Sequence, residues 1–552
     1  MFTKGNHPDS KKSRTIELPL TAENFEDART FVEQRLTHNH ISSTIIHETV
    51  LLFETLYNSL SEQESGSNIL LTITTHKSFG EFRIELGFEG DPFVPPGAGS
   101  NEISPELNIL RAYKDRYTCR YSYGYNTIDI SVKRSYGGLL LRCWAGILLA
   151  ILVYIPIRMN LSMDDQIALE NNIIYPCLKQ FANAMLMVGA PITFFSMLRN
   201  LTDIHIISKR HSPLRKLRLK SYATSCIAIA LGIITASVGV TTIRHLGGYL
   251  DDAGGTPPSV SEMINSLVPS SLFEPFETYM PFPLIIVALL SVYALCSAGE
   301  YIDILKKVVD ICYTLFSKML NVVMYFLPLF SFLAMLTPLL TTGFVGFFMS
   351  VQLLVVIIVS LVVLCIFYTL RLIIGGVKVG PFFRHMPTLI LENLRINSVI
   401  DAVPFNIRFC ARNFGFNRKH LSEKLPILAQ INLDGNCYLL ILLALTLIFG
   451  LGIHVSWAQI VVIAILVLFL SLGAPNQPGS ILIGALIILF YLDAADLISM
   501  AIYLEVFCGM IQNIINVTGD IVTIAIDERK TNNKDDRKGH NMNAAERERI
   551  IE

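Results

Sequence analysis

The chain has 552 residues, of which 52% are hydrophobic and only 16% are charged, and its formal net charge is −1. This composition is too apolar for an ordinary soluble protein, and the near-neutral charge gives no indication of a nucleic-acid partner. The 10 cysteines are scattered, with no spacing typical of a zinc site, so they predict thiols buried in lipid-facing or core helices and not a metal centre.

The first part of the chain predicts a disordered start, residues 1–14, followed by a small soluble domain, residues 15–135. Strand and helix patterns follow each other there, which predicts an α/β fold. The predicted strands are "TIELPL", "NILLTITT", "EFRIELGFEG" and "TIDISVKRS". Three helices are predicted: one that begins after Thr21, one at 43–63 and one that begins after Ser104. A Pro/Gly-rich loop covers 92–103.

From residue 138 the sequence consists mainly of apolar runs long enough for a bilayer, which needs about 20 residues. The clearest is "VQLLVVIIVSLVVLCIFYTL", residues 351–370. We predict eight transmembrane helices in a domain covering 138–526, near 138–158, 178–199, 219–243, 281–299, 305–341, 345–375, 424–452 and 498–526. Two further apolar pieces, about 383–415 and 457–492, are interrupted by Pro, Gly, Asn and Asp.

A basic loop, "SKRHSPLRKLRLK" at 208–220, sets the orientation. The positive-inside rule places this loop in the cytoplasm. Alternation of the spans then places the N-terminal domain and the charged tail, 527–552, on the same side. We expect a multi-pass protein of the cell (inner or plasma) membrane with both termini cytoplasmic.

Four acidic residues lie in or beside the apolar segments: Asp401, Asp434, Glu505 and Asp520. A charge at the centre of a bilayer costs about 2.5–3.5 kcal/mol on insertion scales, so such residues normally face protein, water or an ion. Asp434 has Asn432 beside it, and Asp520 follows Asn516 by one helical turn. Grouped carboxylate and amide oxygens favour a hard cation such as Na⁺. The alternative is a packing role, with each carboxylate satisfied by a neighbouring Ser, Asn or backbone group.

Polar breaks interrupt the two remaining apolar pieces at "LRINSVIDAVPFN", 394–406, and "SLGAPNQPGS", 471–480. Irregular backbone in a membrane is tolerated only where it is buried in protein or lines a cavity. Two such breaks around a polar helix indicate a transporter binding site built from re-entrant hairpins. Loops that only bend a helix are the alternative.

Residues from about 140 to 526 resemble the dicarboxylate/amino acid:cation symporters, the glutamate transporter family. "LPILAQINLDGNCYLLILLALTLI" is similar to the seventh helix of that family, whose signature is Asn-Met-Asp-Gly-Thr, and "NIINVTGDIVTIAI" is similar to its eighth. "SLGAPNQPGS" and "NSVIDAVP" resemble its two hairpin tips, and "LVPSSLFEPF" and "YATSCIAIALGI" also fit. The resemblance implies an elevator-type transporter fold, a homotrimer and sodium coupling.

The same resemblance assigns sodium ligands. Asn432, Asn516 and Asp520 match one site, and Thr224, Ser225, Asn432 and Asp434 match a second. Ser471 matches a ligand of a third site, with backbone carbonyls near Leu433, Leu472 and Ala474. Leu433 replaces the signature Met and Gln430 replaces a Thr, which puts this third site in doubt.

The implied substrate residues depart further from the family. Gly509 stands where amino-acid carriers have an Asp for the α-ammonium, Gln512 replaces the Arg that clamps a side-chain carboxylate, and Asn513 replaces a Thr. Of the hairpin serines Ser398 remains, Asp401 is an additional acid, and Asn436 replaces the signature Thr. Losing the guanidinium removes the best anion clamp. A neutral or weakly polar solute, with Asn516 also near it, is therefore expected in place of aspartate or glutamate.

Residues 15–135 also resemble the ATPase domains of anti-sigma factor kinases and histidine kinases. Glu54 and Asn58 have the spacing of the Glu-x-x-x-Asn box, and Gly90 and Asp91 stand near the adenine-binding turn, although the expected Asp of that strand is missing. The resemblance implies ATP with Mg²⁺, or a domain that has kept the fold and lost the nucleotide.

The sequence thus predicts a non-enzymatic, sodium-coupled symporter for a small polar solute, with a cytoplasmic regulatory domain. The alternative is a membrane sensor, or a degenerate transporter, that signals through the N-terminal domain.

Overall fold

A computed structural model describes residues 15–551 except 40, 42, 64–68, 79–80, 92, 94–109, 111–112, 114–115, 123, 133–136, 211, 247–257, 397, 401, 451–454, 476, 478 and 495–496. Some further side chains, chiefly those of 204–216, 240–246 and 531–551, also lie outside this description. The predicted start at 1–14, most of the helix after Ser104 and most of the loop at 92–103 fall on undescribed residues. The chain divides into two compact units, Met1–Gly138 and Leu139–Glu552.

The first unit contains a 5-stranded sheet in the order β1-β2-β3-β5-β4. Its strands are β1 (Thr15–Pro19), β2 (Leu70–Ser78), β3 (Glu81–Glu89), β4 (Tyr117–Ser122) and β5 (Tyr125–Val132). Every neighbouring pair is antiparallel. Short links, such as the one between β4 and β5, join antiparallel strands without a crossover helix. The fold of this unit is therefore α+β rather than the α/β class expected from the sequence.

Two helices of the first unit, α1 (Phe25–His38) and α2 (Ser43–Gln63), share one apolar core with the sheet. Phe31, Phe53 and Leu56 from the helices pack with Ile84 and Ile130 from the strands. Thr21 does not cap by its side chain as expected; it precedes a short 3-10 turn, and its carbonyl accepts a bond from the Tyr57 hydroxyl at 2.9 Å.

The second unit is entirely helical in its described residues. Its helices are α3 (Gly137–Asn160), α4 (Met163–Leu169), α5 (Tyr175–Arg210), α6 (Ser212–Leu246), α7 (Val260–Asn265), α8 (Glu274–Glu277), α9 (Pro281–Ser297), α10 (Ile302–Met324), α11 (Leu327–Thr342), α12 (Phe344–Ile374), α13 (Val379–Ile396), α14 (Val403–Asn413), α15 (Arg418–Ile431), α16 (Asp434–Gly450), α17 (Trp457–Leu472), α18 (Ser480–Tyr491) and α19 (Ile498–Ile551).

Within the described residues, 6 helices are long and apolar enough to cross a membrane, and 7 if one bent pair counts as a single span. The bent pair is Ile304–Met324 with Leu327–Thr342, at an angle of 52°. It covers the predicted single span 305–341, and Pro328 at the start of α11 explains the break, because proline lacks the N–H that a continuous helix needs. The remaining predicted span, 281–299, is the 17-residue helix α9, at the short limit of a bilayer crossing.

The two interrupted apolar pieces both fold as helix–turn–helix units. α13 and α14 meet at a turn around Ser398 and Ala402, while α17 and α18 meet at a turn between Leu472 and Ser480. Buried Asn393 and Asn406 join the arms of the first unit through reciprocal amide hydrogen bonds of 2.9 and 3.1 Å. Since a buried amide needs a partner, this pair fixes how the arms align.

Helix α16 lies at the centre of the membrane unit. It forms the larger part of the span His420–Phe449, and the most apolar stretch of that span is fully buried. A helix that is apolar on all sides is typical of the core of a large bundle. α16 packs along α6 so closely that a Cβ on Gly232 would lie 2.5 Å from Ile441 Cγ2.

The last helix extends further than expected. α19 runs to Ile551, so its backbone continues as helix through most of the tail at 527–552. No proline occurs in that tail to end the helix.

We expect Gly232→Ala to destabilise the membrane unit by about 1–3 kcal/mol, because the added methyl group overpacks the contact of α6 with α16. The melting temperature of the purified protein should fall. Gly380→Ala is the matched control, because a Cβ there meets nothing within 4 Å. Equal melting temperatures of the two variants would contradict the close packing described here.

Candidate cation and solute site

The centre of the candidate site is a helix break at Asn432 and Leu433. α15 ends at Ile431 and α16 begins at Asp434. The first N–H groups of a helix have no partner within it and favour negative charge nearby. Asp434 is therefore at a position that lowers the cost of its buried charge.

The Asp434 carboxylate is fully buried and has hydroxyl groups on both oxygens. Ser225 donates to Oδ1 at 3.0 Å, and the Thr224 hydroxyl lies 3.1 Å from the same atom. Tyr368 on α12 donates to Oδ2 at 3.3 Å. Hydroxyl donors stabilise an ionised carboxylate more than they stabilise a neutral acceptor.

Asp520 on α19 is linked to Asp434 through Asn432 and the Thr224 hydroxyl. The Asn432 amide donates to Asp520 Oδ1 at 3.0 Å, and its carbonyl lies 3.3 Å from the Thr224 hydroxyl. Asp520 is also buried. Among the described Lys, Arg and His side chains, none lies within 4.0 Å of Asp520 as an ion-pair partner.

A glycine permits this approach of α19 to the helix break. A Cβ on Gly519 would lie 2.8 Å from Asn432 Nδ2 and 3.0 Å from both Asp434 Oδ2 and the Tyr368 hydroxyl. Contacts that short would displace the polar groups. Gly519 therefore allows α19 to lie close to Asn432, Asp434 and Tyr368.

A guanidinium lies beside this group of acids and amides. Arg371 on α12 places Nη1 3.9 Å from Asp434 Oδ2, and its Nη2 donates to Thr523 at 3.0 Å. Arg371 lies within the predicted span 345–375 but was not among the predicted site residues. The available signal was a cation one helical turn after Tyr368, which places the two side chains on one face.

A second polar group lies one to two turns earlier on α19. Asn516 accepts from the Gly435 amide at 2.7 Å and donates to Asn436 Oδ1 at 3.1 Å. A Cβ on Gly435 would lie 2.3 Å from the backbone carbonyl of Gln512. α16 and α19 are therefore in backbone contact here, and the amides of Asn516 and Asn436 are paired with each other.

The second hairpin is tied to α19 at its tip. Gln512 and Ser480 exchange hydrogen bonds of 2.8 and 3.1 Å, and Glu505 Oε1 accepts from the Gly479 amide at 3.0 Å. Glu505 Oε2 is buried and has no hydrogen-bond partner. A Cβ on Gly509 would lie 2.8 Å from Glu505 Oε1, so the carboxylate fills the space that a side chain at 509 would need.

The backbone carbonyls assigned to the predicted third sodium site each accept a hydrogen bond within the protein. The carbonyls of Leu472 and Ala474 accept bonds from Asn200 and Ser196 on α5, at 3.0 and 3.2 Å. The Leu433 carbonyl accepts from the Cys437 amide at 2.9 Å, within the start of α16.

A small cavity lies beside the second hairpin. Its volume of about 10 Å³ is close to the space that one water molecule occupies. Asn436, Ser471, Ala474 and Ser480 are among the residues that line it. The Ser471 hydroxyl is buried and has no hydrogen-bond partner, so the cavity offers a polar atom to an occupant.

The structure brings most of the predicted residues together, although not all of them. Thr224, Ser225, Asn432, Asp434 and Asp520 form one connected group. Asn436, Gln512 and Asn516 form the group beside it. Asn513 is buried on the same helix, and Ser398 is buried in the turn of the first hairpin. Asp401 lies outside the described residues.

Three of the four residues predicted to bind nucleotide have local partners of their own. Glu54 forms an ion pair with Arg29 at 3.1 Å, and Asn58 is exposed on α2. Gly90 and Asp91 form the turn after β3, where the Gly90 amide donates to the Gly124 carbonyl at 3.1 Å and Asn126 donates to the Asp91 carbonyl at 2.8 Å. None of these contacts supports ATP or Mg²⁺ binding.

An apolar helical bundle with a buried polar site at a broken helix and a hairpin tip is the architecture of a secondary transporter. The model of the sodium:dicarboxylate symporter family matches residues 139–529, well over half of the chain. The protein belongs to this family, and it is a multi-pass membrane protein that moves a small molecule by symport.

Individual relatives are distant. The chain is 22% identical over 360 residues to a C4-dicarboxylate transport protein of Rhodopseudomonas palustris, covering 62% of this chain and 78% of the relative. It is 21% identical over 368 residues to a serine/threonine transporter of Acinetobacter baumannii, covering 64% and 90%. An excitatory amino acid transporter of Onchocerca volvulus is 26% identical over 147 residues, covering 26% and 30%.

Proposed function

We propose that this protein is a sodium-coupled symporter for a small polar solute that carries an amino group. The observation behind the sodium coupling is a charge deficit in the membrane unit. Asp434 and Asp520 are buried and linked through Asn432, and Arg371 is the one cationic side chain within 4.0 Å of either carboxylate among the described residues. A buried charge of this kind requires a counter-ion.

The side chains near Asp520 carry the kind of oxygen ligands that sodium binds. Asp520 offers carboxylate oxygens, and Asn432 and Asn516 carry amide oxygens; both types are ligands that hard cations prefer. The Asn432 oxygen faces the Thr224 hydroxyl and the Asn516 oxygen accepts from the Gly435 amide, so both amides would turn toward a bound ion. Bound sodium would supply the missing positive charge. The role of the chain is to hold these oxygens together at the helix break and to keep lipid away from them.

The solute class follows from the residues near the second hairpin. No arginine contacts Gln512 among the described residues, so a second carboxylate on the solute would find no guanidinium clamp there. Glu505 offers a buried carboxylate oxygen without a partner, which suits a positively charged nitrogen. Asn436, Gln512, Asn513, Asn516 and Ser398 supply amide and hydroxyl groups for the rest of the solute. A serine- or threonine-like amino acid fits this set better than a C4-dicarboxylate.

The coupling of binding to transport would act through the second hairpin. Glu505 bonds to Gly479 and Gln512 bonds to Ser480, so a solute that contacts either side chain also acts on the hairpin tip. We propose that closure of 471–480 precedes movement of the site across the membrane in an elevator motion, within a homotrimer of the cell membrane. Both termini would be cytoplasmic, with residues 15–135 as a regulatory domain.

Asp520→Asn should abolish the stabilisation of the purified protein by NaCl relative to choline chloride. Sodium at 100 times its Kd stabilises a folded protein by about 2.7 kcal/mol, and this term disappears when the charge that holds sodium is removed. The measurement is the melting temperature against sodium concentration.

Asp493→Asn is the matched control, since Asp493 is exposed and its positive φ of 54° also suits asparagine. A full sodium response in Asp520→Asn would refute the assignment of sodium to this site.

Glu505→Gln should weaken binding of serine or threonine by about 10-fold or more, a loss of at least about 1.4 kcal/mol, and leave the sodium response in place. The amide can still accept the Gly479 N–H but carries no charge for an ammonium group. Solute-induced shifts of melting temperature in saturating NaCl measure the effect.

Glu423→Gln, at an exposed glutamate, is the control for the same substitution. Unchanged affinity for these amino acids in Glu505→Gln would exclude Glu505 as the ammonium partner.

A further inference from the structure

We propose that Arg371 provides, from within the chain, the positive charge that Asp434 requires, so that Asp434 is balanced without a sodium ion of its own. The inference rests on the proposed sodium coupling and makes it more specific. It assigns the exchangeable cation to Asp520, and it predicts one sodium fewer per molecule than the two sites that the sequence implied at Asp434 and Asp520.

The position of Arg371 is fixed by several contacts. Its Nη2 donates to Thr523 on α19, and its guanidinium lies 5.5 Å from the ring centre of Phe367 and 5.8 Å from that of Tyr368. Contacts of a guanidinium with aromatic rings are attractive, and they gain strength when the group is desolvated. The side chain is 15% exposed, so the charge remains largely shielded from water.

The charge of Arg371 is directed at Asp434. Its Nη1 lies 3.9 Å from Asp434 Oδ2 and has no hydrogen-bond partner of its own. Opposite charges at such a distance interact strongly where water is excluded. Both Asp434 oxygens already have hydroxyl groups beside them, so Arg371 adds the charge that these neutral donors do not supply.

The remaining charges do not alter this balance. Asp434 and Asp520 together carry −2 when ionised, and Arg371 carries +1, which leaves one negative charge for one monovalent cation. The next acid along α19, Asp527, pairs with Lys220 at 3.3 Å and Lys424 at 2.8 Å. Asp520 is therefore the carboxylate of this group without a cation among the described residues.

The close packing of protein groups around Asp434 Oδ2 is consistent with the balance of Asp434 by Arg371. The Tyr368 hydroxyl, Asn432 and Asp434 Oδ2 all lie within 3.0 Å of the point where a Cβ on Gly519 would stand. Arg371 approaches the same oxygen from α12. Protein groups thus lie close around the side of Asp434 that faces α19.

The test counts sodium ions on the purified full-length protein by equilibrium binding of radioactive sodium, with the dependence of melting temperature on sodium concentration as a second readout. We expect Arg371→Gln to bind one sodium more than the wild type, because the uncovered Asp434 charge then requires a counter-ion. Arg371→Lys keeps the charge and should keep the wild-type number. Arg408→Gln removes an exposed arginine and is the control for loss of a positive charge.

An equal or lower sodium number in Arg371→Gln would overturn the inference. If that variant does not fold, the charge-neutral double variant Arg371→Gln/Asp434→Asn decides. It keeps the wild-type number if Arg371 balances Asp434, and it loses one sodium if Asp434 is itself a sodium ligand.

The proposed function can fail separately. No sodium binding to the wild type would refute sodium coupling, whereas sodium binding that appears in Arg371→Gln alone would still support the role of Arg371. Absence of sodium binding from both proteins would overturn both proposals.

Discussion

The structure of the membrane unit depends on keeping two carboxylates buried within a bundle of apolar helices. Asp434 and Asp520 are connected through the Asn432 amide and the Thr224 hydroxyl, and that amide lies at the helix break between Ile431 and Asp434. Burial of this kind is tolerated when each polar atom has a partner. Thr224, Ser225, Tyr368 and Arg371 supply those partners from two other helices.

Close packing around the break follows from the same constraint. Amide and hydroxyl groups bond only within about 3 Å, so the helix backbones must approach closely. Gly519 and Gly435 permit α19 to approach the break, and Gly232 permits α6 to lie against α16. Larger residues at these positions would separate the polar groups and leave buried charge unsatisfied. The apolar run after Asp434 is therefore the core of the bundle as well as a membrane-length helix.

The second hairpin is where coupling would reach the solute. Its tip bonds to α19 through Gly479 and Ser480, while its preceding turn bonds to α5 through the carbonyls of Leu472 and Ala474. These two sets of bonds hold the tip between a polar helix and the surrounding bundle. In the proposed function, a solute that contacts Glu505 or Gln512 would act on the first set of bonds.

The sequence by itself determined the class of protein and most of the polar group. Apolar runs of membrane length, interrupted where Asp and Asn occur, predict a helical transporter, because a bilayer excludes unpaired polar groups. The motif residues Asn432, Asp434, Asn516 and Asp520 follow from the same pattern. Tertiary structure alone decided which charges meet: Arg371 is 63 residues before Asp434 in the sequence, and Glu505 reaches a hairpin tip 26 residues away. It also decided that one long apolar stretch bends at Pro328 and that β4 pairs with β5 in an antiparallel sheet. Such pairings depend on which faces of distant helices and strands come into contact, and local hydrophobic periodicity carries no information about that.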